Sequence, residues 1–90
     1  MQIWKFNLAV AELQAIAMPR GARILSLQTQ QGVPQLWALV NEDLRTELRT
    51  FAMFGTGWRV PDGFNCDRFL GTCQLDNGLV FHFFEKISAA

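Results

Sequence analysis

Histidine is almost missing from this chain: His82 is the only one among 90 residues. Cysteine is nearly as scarce, and the spacing of Cys66 and Cys73 fits neither C-x-x-C redox chemistry nor a zinc knuckle. With one histidine, a four-ligand zinc centre cannot be assembled without carboxylates. The sequence therefore calls for no metal and no cofactor, and both cysteines are expected to be reduced and packed as small apolar side chains. Charge of one sign is also lacking. Eight basic residues balance eight acidic ones, and Lys5, Arg20, Arg23, Arg45, Arg49, Arg59, Arg68 and Lys86 are scattered. No stripe of positive charge tracks a phosphate backbone, which argues against general nucleic-acid binding. No apolar run approaches the roughly 20 residues of a membrane helix. "MQIWKFNLAV" also lacks the basic start and long apolar stretch of a signal peptide. A soluble cytoplasmic protein is expected, with no membrane partner.

What the sequence does have is apolar bulk. Half of the residues are hydrophobic, with eight Phe and three Trp. Residues 1–90 make one domain, because the chain is shorter than the size at which cores divide. A domain this small buries roughly 60–65% of its unfolded surface. One thin sheet has too little interior for so many large side chains, which points to self-association as a homodimer.

The punctuation is that of an all-β protein: short apolar runs broken by Gly, Pro, Asn and Asp. "QIWKFNL" (2–8) sets Ile3, Lys5 and Asn7 against Trp4, Phe6 and Leu8, a period-two strand with one buried side. "QAIAM" (14–18) stops at "PRG". "ARILSLQTQ" (22–30) alternates, with Leu25, Leu27 and Thr29 on one face and Ile24, Ser26 and Gln28 on the other. After the "QGVP" turn, "QLWALVN" (35–41) is apolar nearly throughout, as a central strand is. Residues 41–50, "NEDLRTELRT", read either as one helical turn capped by Asn41 or as the approach to a strand. "RTFAMF" (49–54) ends at "GTG". Finally, "RFLGTCQL" and "LVFHFFEK" flank Asn77-Gly78, a pair favoured in type I′ hairpin turns, where both central residues need positive φ. Seven strands and at most one helical turn make a small antiparallel sheet, curled into a barrel or a sandwich or left open.

Chemistry-bearing groups are few. Alternation in 79–86 puts His82 with Val80 and Phe84, which makes it a strand residue beside apolar neighbours. The acids Glu42, Asp43 and Glu47 are interleaved with Arg45 and Arg49, as on a solvated face. No triad, carboxylate pair or metal cluster can be assembled, so the protein is expected not to be an enzyme. The candidate binding residues are Gly55, Thr56, Gly57, Trp58 and Arg59. Backbone amides around two glycines can cup an anion, and an exposed Trp beside an Arg is the composition of an interface anchor. Val60-Pro61 follows, so no helix N-terminus supports that cup. Trp4 and Trp37, inside strands, are expected in the core.

Taken in order, "IWKFNL", "IAMPRGARILSLQTQQGVPQLWALV", "FAMFGTG" and "FLGTCQLDNGLVFHFFE" span nearly the whole chain. Together they resemble a family of short uncharacterised proteins encoded by bacteriophages, prophages and some bacteria. The run from Met18 to Val40 is the most specific part, and "NEDLRTEL" and "WRVPDGFNCD" the loosest. The resemblance implies an accessory protein working in the host bacterial cytoplasm. By analogy with proteins of that size and origin, it implies a non-enzymatic binder of a host or phage protein, including an inhibitor of host defence. The alternatives are a small-ligand (nucleotide) binder and a minor virion component.

Overall fold

A computed structural model describes residues 1–86 and contains seven strands. They are β1 (Gln2–Asn7), β2 (Leu13–Pro19), β3 (Arg23–Gln30), β4 (Val33–Val40), β5 (Thr46–Gly55), β6 (Phe69–Gln74) and β7 (Val80–Lys86). All pairings are antiparallel, in a three-stranded sheet of order β1-β4-β3 and a four-stranded sheet of order β2-β5-β7-β6. Both sheets keep their edges, so the fold is a sandwich and not a barrel or a single open sheet.

Alternation builds the space between the sheets. On β5 and β7, Phe51 and Met53 share the inner face with Phe81 and Phe83, and Cys73 of β6 joins them. The facing layer is Leu36, Ala38 and Val40 of β4 with Leu27 of β3. These side chains are buried, and at about 25 cal/mol per Å² of apolar surface they form the main cohesive term. β4 reads as continuously apolar because it is the middle strand of its sheet, as expected. The sheets meet closely at Gly71 and Leu27: a Cβ added at position 71 would lie 3.1 Å from Leu27 Cδ2.

Of the two readings of residues 41–50, the approach to a strand is the one found, with no helical turn at 41–45. The Asn41 carboxamide accepts the Asp43 amide at 3.1 Å, and the Asn41 carbonyl accepts that of Leu44 at 3.1 Å. That closes a tight turn, and the chain enters β5 directly at Thr46. The alternation proposed for β3 breaks at a bulge between Ile24 and Ser26, so Leu25 turns to solvent while Ile24 and Leu27 both pack on the core. Trp4 lies at the rim and is 36% exposed, and Trp37 is only half-buried, paired with Lys5 and Ser26. Neither forms part of the core: Trp37 alternates with Leu36 and Ala38 and so lies on the outer face, and Trp4, opposite Ala38, lies on the edge strand β1.

The turn readings also trade places. Gln31 and Gly32, with φ of 52° and 78°, make the two-residue turn with two positive φ values between β3 and β4. At the predicted Asn77-Gly78 site only Gly78 has positive φ, at 85°. Gly78 N–H donates to the Leu75 carbonyl at 2.9 Å and Leu75 N–H to that of Leu79 at 2.8 Å. The connection is therefore a three-residue loop, in which a turn is followed by a left-handed glycine.

Candidate functional site

The predicted segment begins where β5 runs out. Thr56 N–H donates to the Val80 carbonyl (3.2 Å) and Trp58 N–H to the Gly55 carbonyl (3.0 Å). Those two amides are occupied, so the loop offers no uninterrupted row of free N–H groups for an anion. What the turn does instead is fold Trp58 back over Gly55. A Cβ at position 55 would stand 2.6 Å from the indole Cε2, so only glycine leaves room for the ring. From below, Phe81 meets the indole edge-on with centroids 5.8 Å apart. Trp58 is thus clamped yet 47% exposed.

Its ring divides two depressions. One, of about 310 Å³, is lined by Gly55, Thr56, Trp58, Leu79 and Val80. The other, of about 420 Å³, is lined by Glu12, Met53, Phe54, Trp58, Arg59 and Pro61. The structure therefore brings Gly55, Thr56, Trp58 and Arg59 to one surface, with exposed Leu79 extending its apolar part. Gly57, with φ of 87° and open space around it, makes the turn that lets the indole fold back. Sequence reasoning missed Leu79, Glu12 and Phe81. Alternation in 79–86 puts Phe81 on one face with Leu79, Phe83 and Glu85, but nothing local joins it to Trp58.

His82 is fixed from both sides. Thr56 Oγ1 lies 2.8 Å from Nε2 and Thr72 Oγ1 lies 2.9 Å from Nδ1. In either tautomer one ring nitrogen donates to a hydroxyl and the other accepts from one, so the imidazole ties the β5 end to β6. Beside it on the outer face, Phe54, Phe64 and Phe84 pack edge-on with centroids 5.0–5.9 Å apart, and Phe69 leans on Phe84. The loop after Arg59 is held to the sheet through Phe64.

At the opposite end of β5 and β7, charge enters the inner face. Arg49 grips Glu85 with two prongs, Nε to Oε2 at 2.6 Å and Nη2 to Oε1 at 2.8 Å, while Nη1 donates to the Ala22 carbonyl. The bond to Glu85 holds the Arg49 guanidinium above its already high ordinary range, with burial opposing it. Its signal was readable, since Arg49 shares parity with Phe51 and Met53, and Glu85 with Phe81 and Phe83. Glu42, by contrast, is held below the usual carboxylate range by its own backbone hydrogen bond and by the N-terminal ammonium, 3.3 Å away.

Both cysteines are free, but only Cys73 is buried. Cys66 is exposed in the loop before β6, which corrects the expectation that both pack inside. Among the described residues no three His, Cys, Asp or Glu side chains converge in a metal-holding group, and no helix is long and apolar enough to cross a membrane. Comparison with curated proteins and with solved structures returns no match. One family model does match, over residues 1–90, and the chain accordingly belongs to the family described as Domain of unknown function (DUF7352).

Proposed function

We propose that this protein is a non-enzymatic accessory protein that binds another protein through the surface around Trp58. The observation that carries this reading is the clamped, half-exposed indole between two depressions. A tryptophan whose orientation is fixed before binding loses little conformational entropy on contact, and such residues dominate interface energies. The engagement of both His82 nitrogens by threonines fits a non-catalytic role. The resemblance to phage and prophage proteins makes the bacterial cytoplasm the setting and a host protein, including a defence component, the first partner to test.

A homodimer belongs to the same reading. β1 is an edge strand with neither bulge nor proline, and Ile3 on it is 60% exposed. Edges left that way pair readily with a second copy, and antiparallel pairing about a two-fold axis needs only this one strand. Affinity capture from bacterial lysate with the native chain and with Trp58→Ala tests the main claim. One defined partner, retained by the native protein and lost by a normally folded variant, is the expected result. Equal capture by both sinks the Trp58 assignment. Nucleotide binding at the Trp58–Arg59 depression, or co-purification with virions, would favour the alternatives.

A further inference from the structure

We propose that the cleft at the seam between β3 and β6 binds a small organic anion, a phosphate or carboxylate carried on a flat or apolar body. The cleft holds about 420 Å³, within the range of small-molecule sites, and Arg23, Arg49, Arg68, Phe69, Leu70 and Glu85 are among its walls. It lies at the far end of β5 from Trp58, about 20 Å away along the strand, so it is a second site and does not rest on the first.

The charge arrangement selects an anion. Three arginines and two acidic residues, Glu85 and Asp67, line the cleft, leaving one positive charge unbalanced. Glu85 is already committed to the two prongs of Arg49. Each Arg49 nitrogen already donates, Nε and Nη2 to Glu85 and Nη1 to the Ala22 carbonyl, so it serves as a fixture of the wall. The Arg68 guanidinium stands 3.8 Å from Glu85, beyond hydrogen-bond reach, and its side chain is 57% exposed. Among the described residues Arg23 makes no side-chain hydrogen bond or ion pair, and Asp67 pairs with neither arginine. Two arginines with unused donors therefore line one cleft, and arginine is the side chain suited to recognising phosphate or carboxylate.

The backbone supplies the rest. β3 has its bulge between Ile24 and Ser26, and β6 has one between Phe69 and Gly71, so both strands bordering the seam are irregular beside this cleft. Bulges re-aim side chains, and here the seam carries Phe69, whose ring rests on Phe84 at 5.2 Å yet remains 53% exposed. It lines the same cleft as Arg23 and Arg68, where an exposed ring can take a flat group attached to the anion.

Calorimetric titration of the full chain with inorganic phosphate, phenyl phosphate and benzoate tests the proposal. Saturable binding of phenyl phosphate or benzoate in the millimolar range or tighter is expected, and which one binds better identifies the anionic head. Arg23→Gln and Arg68→Gln should each weaken it roughly tenfold, as expected for one charge-assisted hydrogen bond. Phe69→Ala should erase the advantage of phenyl phosphate over inorganic phosphate. Arg45→Gln, at an exposed position outside the cleft, should leave anion binding unchanged. Circular dichroism confirms that each variant is folded. No saturable binding of any of the three anions overturns the site, as does binding indifferent to both arginine variants. Equal affinity for phosphate and phenyl phosphate overturns the role of Phe69.

Discussion

Trp58 sits on Gly55 as a lid sits on a flat surface: the indole occupies the space in which any other residue at position 55 would carry its Cβ. Gly55→Ala should therefore swing the ring away from Phe81. Overfilling a tight contact costs about 1–3 kcal/mol, so the melting temperature should fall. The Trp58 indole N–H resonance, assigned by its loss in Trp58→Phe, should shift as well. An unmoved resonance in a fully stable Gly55→Ala variant would show that the indole is not clamped.

Arg49 and Glu85 retain 14% and 11% side-chain exposure, so their ion pair is largely withdrawn from water. Glu85→Leu alone strands the guanidinium and should cost about 3 kcal/mol. Glu85→Leu with Arg49→Leu should recover much of that loss, because an apolar pair leaves no orphaned charge. The raised pKa of Arg49 sets the sign of any pH effect. Its stabilisation is fully present below the ordinary arginine pKa and is lost only as pH rises through the higher folded value. The guanidinium should thus add no slope to stability near neutral pH, which urea titrations of native and Arg49→Leu chains would check.

Gln31 is the only described non-glycine residue with positive φ, and Gly32 follows it. Gln31→Asn should stabilise the protein by about 0.5 kcal/mol, since asparagine tolerates this conformation better. Gly78→Val should destabilise by more than about 1 kcal/mol. Open space surrounds a Cβ at position 78, so that cost would be purely conformational. Denaturant midpoints at constant slope measure both.

His82→Gln should lower stability by about 1 kcal/mol through loss of one threonine contact and leave partner capture intact. A chelator should not change the melting temperature. Stoichiometric zinc in the purified protein would contradict this.

Ile3→Lys should abolish the dimer while preserving the fold, because the side chain is exposed in the monomer and the two-fold brings like charges together. Light scattering should then give the 10.2 kDa chain mass. That same mass for the native chain over a hundredfold dilution series would rule out the dimer altogether.

Strands were legible where period-two alternation met a turn signal, as in 2–8 and 79–86, and 35–41 was legible as a continuous apolar run after a turn. The bulge that turns Leu25 outward was not legible, because one extra residue reverses parity and leaves no compositional trace. The hairpin at Asn77-Gly78 was visible but its geometry was not. There, Asp76 joins the loop and Asn77 uses its carboxamide to accept the Leu79 amide at 3.0 Å. The Trp58 surface was half legible: glycine, tryptophan and arginine are adjacent in sequence, whereas Leu79 and Glu12 arrive through pairing. The arginine cleft was not legible, since Arg23, Arg49 and Arg68 are separated by two long stretches of chain.

The order of the strands also governs how the molecule is made. The chain enters the three-stranded sheet with β1, leaves for β2, returns for β3 and β4, and departs again for β5. Only β3–β4 and β6–β7 are hairpins between consecutive strands; β1 must wait for Val33–Val40, and β2 for Thr46–Gly55. Neither sheet can be completed without the other. Folding should accordingly be slow for a domain of this size, in the millisecond-to-second range of proteins dominated by distant pairings, and both sheets should melt in one transition. On the ribosome, β1 stays unpaired until β2, β3 and β4 have been synthesised after it.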